Sequence, residues 1–106
     1  MSFADNLKSL PPINDLAELI LLDEAGEVVA SIENKPGKAG SLAVYAALTQ
    51  RHGQIDEKAA REGLALFGEH VEDARTNPGK HPNIDRLLHL LESGKSYEVR
   101  LRKILA

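Results

Sequence analysis

Two short loops carry the residue types in this chain best suited to chemistry. One reads Asn34-Lys35-Pro36-Gly37-Lys38-Ala39-Gly40-Ser41, and the other Asn77-Pro78-Gly79-Lys80-His81-Pro82. Each holds a Pro-Gly-Lys tripeptide with an Asn within two residues before it, and each leads into a segment of helical pattern. A glycine-containing loop that opens a helix presents free backbone N–H groups and the positive end of the helix dipole, and a lysine beside it adds a full charge. Lys35, Gly37, Lys38, Gly40, Ser41, Lys80 and His81 are therefore the candidate contacts for a small anionic ligand such as a phosphate or a carboxylate. Proline and glycine are also ordinary loop punctuation, and lysines keep loops soluble, so two plain turns account for the same residues. The first loop lacks the spacing of a P-loop. The flanks of the two loops share nothing wider, which argues against an internal duplication.

A second group, Glu69, His70, Glu72 and Asp73, is followed shortly by His81. His70 and Asp73 stand three apart on a helical pattern, so His70, Asp73 and His81 are the metal candidates of an alternative reading, a small metal-dependent enzyme. No His-Glu-x-x-His occurs, and acids with Arg75 close by also suit a solvated helix face. Gly-x-Ser-x-Gly is absent too. Ser41 has the right type and place for a helix N-cap. His52 and His89 have no evident carboxylate partner in the sequence. No catalytic residue and no cofactor is assigned, and the reading leans away from an enzyme.

The elements that must position these residues follow from pattern. Phe3 to Leu10 reads as a short helix stopped by Pro11 and Pro12. Leu16 to Leu22 and Glu27 to Glu33, joined by Asp23-Glu24-Ala25-Gly26, read as a β-hairpin with Val28, Ala30 and Ile32 on one face. A second helix is expected from Leu42 to about His52, ended by Gly53. Asp56 caps a third, long helix from Glu57 to Arg75, on which Ala60, Leu64, Phe67, Val71 and Ala74 recur at helical spacing. Gly63 and Gly68 lie inside it, each weakening a helix by about 1 kcal/mol, and close packing of a neighbour would explain them. Ile84, Leu87, Leu88 and Leu91 form the stripe of a fourth helix closed by Gly94. Ser96 to Arg102 alternates Tyr97, Val99 and Leu101 with charge, as a strand with one wet face does, and its charges suit an edge. The fold expected is α+β: a three-stranded antiparallel sheet, hairpin plus C-terminal strand, covered on its apolar face by about four helices.

Composition narrows the partners. The chain has 106 residues, enough for one domain, a net charge of −3, and only four aromatic side chains among Phe, Tyr and Trp. General nucleic-acid binding is disfavoured by that balance, despite the strip Arg100, Arg102 and Lys103. The absence of cysteine removes disulfides, thiol nucleophiles and cysteine-ligated metals. The N-terminal residues lack a signal-peptide pattern, and apolar runs such as Leu19 to Leu22 fall far below the roughly 20 residues a membrane span needs. The expected location is cytoplasmic, without membrane contact. A protein partner meeting an exposed strand or helix face is the remaining class.

The segments Glu33-Asn34-Lys35-Pro36-Gly37-Lys38-Ala39-Gly40-Ser41-Leu42 and Asn77-Pro78-Gly79-Lys80-His81-Pro82-Asn83-Ile84-Asp85, with the chain length, resemble a family of small bacterial proteins classified as a domain of unknown function. The resemblance extends over nearly the whole chain. It implies a bacterial, intracellular protein and brings no activity, substrate or catalytic residue with it.

Overall fold

The computed structural model describes residues 2–104. These form five helices and three strands in the order α1 (Phe3–Lys8), β1 (Leu16–Leu22), β2 (Val28–Glu33), α2 (Ala39–His52), α3 (Glu57–Phe67), α4 (His70–Thr76), α5 (Pro82–Ser93) and β3 (Glu98–Lys103). The strands make one antiparallel sheet in the order β2-β1-β3, so the fold is α+β.

The hairpin forms because Asp23 closes its turn. Its Oδ1 accepts from the N–H groups of Ala25 and Glu27, both at 2.9 Å, and Gly26 takes the positive φ of 82° that the turn requires. On the covered face Leu19 stands between Ile32 and Leu101, and Leu21 between Ala30 and Val99. Leu19, Leu21 and Ile32 are fully buried there. A bulge between Leu21 and Leu22 shifts the pairing at the turn end of the hairpin. Val28 was expected to share the face of Ala30 and Ile32, yet it is 64% exposed. It pairs with Leu22, beyond the bulge. Val28, Val29, Leu101 and Ile104, the large exposed hydrophobics among the described residues, all lie on or beside the two outer strands.

Helix α2 is buried on several sides: Leu42, Val44, Tyr45, Ala47 and Leu48 encircle it. It packs against β1 and β2 on one side and α3 on the other, while α3 also meets α1 and α5. Asp56 caps α3 as expected, its Oδ1 accepting from Ala59 N–H at 2.9 Å.

Several boundaries differ from the pattern reading. The long helix expected over Glu57 to Arg75 is two helices, broken at Gly68, whose φ of 61° and ψ of −125° are open essentially to glycine alone. Helix α1 stops at Lys8, where Ser9 N–H bonds back to the Asn6 carbonyl, two residues before Pro11. Helix α2 starts three residues early, at Ala39, so Ser41 lies inside its first turn and is not a cap; Lys38 holds the N-cap position with no side-chain hydrogen bond.

Gly63 does have a packing reason. A Cβ at that position would stand 2.8 Å from Leu87 Cδ1 and 2.9 Å from Leu48 Cδ1, and both leucines are fully buried. Gly63→Ala should therefore lower stability by about 1 kcal/mol, because overpacking of roughly 1–3 kcal/mol exceeds a helix-propensity gain of about 1 kcal/mol. Thermal unfolding checks this: a melting temperature a few degrees lower is expected, and a rise would contradict it.

Candidate functional site

The two loops fold as the same local structure. In the first, Lys38 N–H donates to the Lys35 carbonyl at 2.9 Å; in the second, Lys80 N–H donates to the Asn77 carbonyl at 3.1 Å. Proline stands second in each turn and glycine third, with φ of 86° at Gly37 and 92° at Gly79. That is the type II turn, which demands a left-handed third residue. The second loop is closed further by Asp85 in the first turn of α5, whose Oδ2 accepts from Gly79 N–H at 2.9 Å.

What brings the loops together is Tyr45 of α2. Its hydroxyl donates to the Asn83 carbonyl at 2.5 Å and accepts from Arg86 Nη1 at 3.2 Å, while the same Arg86 nitrogen donates to Asn83 Oδ1 at 2.9 Å. The start of α5 is thereby fixed on the flank of α2. Burial pushes the Tyr45 phenol up to about 12 against the ordinary 10.0, with the Arg86 charge opposing the rise.

A cavity of about 580 Å³ lies between the loops. Of the seven candidate contacts, six line it: Gly37, Lys38, Gly40 and Ser41 from the first loop and α2, and Lys80 and His81 from the second. Lys35 does not; its ammonium lies 3.1 Å from Glu33 Oε2. The Gly40 and Ser41 N–H groups make no hydrogen bond among the described residues. Lys38 likewise makes no ion pair there, whereas Lys80 Nζ sits 3.0 Å and His81 Nε2 2.6 Å from Asp73 Oδ2.

The other wall is aromatic. Phe3 stacks on Phe67 with centroids 5.5 Å apart and meets His70 edge-on at 5.0 Å; His70 in turn lies 5.7 Å from His81. Glu69 and Asn6 hold α1 in this place. Glu69 Oε1 accepts from Phe3 N–H at 2.7 Å, which lowers the Glu69 carboxyl below its usual range. Asn6 Nδ2 donates to the Leu66 carbonyl at 3.0 Å. Pattern alone marked Phe67 as core and attached no role to Phe3 or Asn83. No sequence signal placed α1 over this opening.

The metal candidates lie near one another. Asp73 and His81 are bonded to each other, and His70 faces the cavity beside them. Among the described residues no three His, Asp or Glu side chains are grouped to hold a metal ion. A histidine–carboxylate pair the sequence did not reveal occurs elsewhere, where Glu62 receives His52 Nε2 at 2.7 Å and Arg51. It ties the end of α2 to α3, and those two partners, His52 first, lower the Glu62 carboxyl.

His81, then Lys80, hold the Asp73 carboxyl well down, at about 2 against an ordinary 3.8. A carboxyl lowered in the folded state contributes stability that is present above its unfolded value and lost as pH falls through the folded one. The Asp73 contribution should thus survive to about pH 3.8 and disappear towards pH 2. The carboxyl-carbon resonance of Asp73 followed by NMR should titrate near 2; a midpoint near 3.8 would contradict the contacts.

The comparisons with known proteins give one family. Its profile, described as an uncharacterised protein conserved in bacteria (DUF2322), matches residues 3–101. No curated protein and no solved structure matches the chain.

Proposed function

We propose that this chain, which belongs to that bacterial family, is a binding module for a small anion held in the cavity between its two Pro-Gly-Lys loops. The observation that carries the reading is that six candidate contacts, drawn from loops some 40 residues apart in sequence, line one cavity. Its volume falls in the range of small-molecule sites, roughly 300–1,000 Å³.

The chemistry supports an anion for three reasons. Gly40 and Ser41, in the first turn of α2, line the opening, and their N–H groups are unbonded among the described residues. A 14-residue helix adds the positive end of its dipole at that point. Lys38, without a carboxylate partner among the described residues, supplies a full charge whose field is stronger where water is displaced. The reading assigns no reaction to the site.

The test is thermal unfolding in increasing inorganic phosphate and, separately, acetate, at constant ionic strength set with chloride. Either anion should raise the melting temperature saturably, by the equivalent of about 2.7 kcal/mol at a hundred times the dissociation constant. Lys38→Gln should weaken that rise about tenfold in concentration, a loss of about 1.4 kcal/mol. No rise beyond that in chloride, with either anion, would overturn the reading.

A further inference from the structure

We propose that the anion is an aromatic acid carrying one negative charge, whose ring lies against Phe3 and the His70–His81 edge while its carboxylate meets Lys38 and the start of α2. The inference rests on the anion-binding reading and names the class of ligand.

Size comes first. A cavity of about 580 Å³ would hold the liquid volume of roughly twenty waters, far more than a bare inorganic anion fills. The remainder of the ligand must therefore match the remainder of the lining. That lining is aromatic to a degree the composition does not lead one to expect. The chain has only two phenylalanines and four histidines, yet both phenylalanines and two of the histidines stand on this one wall. Their rings form a continuous run, Phe67 to Phe3 to His70 to His81, with successive centroids 5.0 to 5.7 Å apart. Such a surface favours a flat ring, through offset and edge-to-face contacts, over a saturated body of equal size.

Spacing comes second. A methyl in place of the Gly40 hydrogen would lie 3.0 Å from Phe3 Cζ, so the aromatic wall begins directly beside the Gly40 and Ser41 N–H donors. A ring bonded straight to its acid group fits that separation; a long spacer does not.

Charge comes third. Asp73 already faces Lys80 and His81 and offsets them, and Glu33 faces Lys35. Lys38 is the lysine at the opening that makes no ion pair among the described residues. One such charge suits a monoanion, and a polyphosphate would meet Asp73 as a like charge.

A matched pair of ligands tests this. Benzoate and cyclohexanecarboxylate share a carbon count and a charge, and the second is no less apolar. Dissociation constants from amide shifts in NMR titrations should favour benzoate by about tenfold, the order expected for one aromatic stacking contact. Acetate should bind more weakly than either. Phe3→Leu should bring benzoate down to the level of cyclohexanecarboxylate and leave acetate unchanged, while Lys38→Gln should weaken all three alike. Equal binding of the matched pair, or benzoate no tighter than acetate, overturns the aromatic inference and leaves the anion reading standing. No binding of any carboxylate or of inorganic phosphate overturns both. The wild-type ratio decides even if Phe3→Leu loses its fold.

Discussion

The hydrogen bond from the buried Tyr45 hydroxyl to the Asn83 carbonyl is the contact on which the rest of the site depends. Residues 38 apart in sequence meet there, and the meeting sets where α5 begins relative to α2. The Asn83 carbonyl lies in the first turn of α5, next to the loop that carries Lys80 and His81. Tyr45 lies on the second turn of α2, just past the loop that carries Lys38. Fixing one pair of turns therefore fixes both loops. Arg86 reinforces the junction by donating to both partners, so the phenol oxygen is satisfied as donor and as acceptor in a place water does not reach. Replacing this oxygen by hydrogen would remove the bond between α2 and the start of α5, a loss of about 0.5–1.5 kcal/mol.

The charges around the cavity are arranged unequally. Three of the four basic groups named from the loops, Lys35, Lys80 and His81, already face a carboxylate within 3.1 Å. These exposed pairs contribute little to stability, since surface ion pairs are worth about 0–1 kcal/mol. On the proposed reading their consequence is for recognition: they hold side chains in place and reduce the net charge an incoming ligand would meet. Lys38 and the uncapped start of α2 are left as the electropositive point. Helix α2 lacks the stabilisation of an N-cap side chain, and its first N–H groups stay open.

Much of the fold was legible because it rests on local pattern. Alternation marked β3, and a turn between two apolar runs marked the hairpin, since strand faces and turn chemistry are set within a few residues. The stripe Ala60, Leu64, Phe67, Val71, Ala74 also identified residues that turn inward, Phe67, Val71 and Ala74 among them. It concealed the break at Gly68, because the stripe resumes in phase after it. Gly63 and Gly68 look alike in sequence, but one is an empty space for two leucines and the other a backbone conformation. Ser41 was misplaced by three residues because a Ser before an apolar run is a good cap signal, whereas the turn at Pro36-Gly37 feeds the chain into helix directly. The two loops were legible as a pair of like motifs. Their convergence was not, since it comes from the Tyr45–Asn83 contact and from α1 lying across α3, both tertiary. Lys35 differs, for its partner Glu33 stands only two residues earlier on the strand.

The central claim is that two distant loops act as one site. Its most direct test is a titration of nitrogen-15-labelled protein with inorganic phosphate, following the amides of Gly40 and Ser41 together with those of Lys80 and His81. The account predicts that both sets shift with a single dissociation constant. Movement of one loop alone, or two unrelated constants, would contradict it.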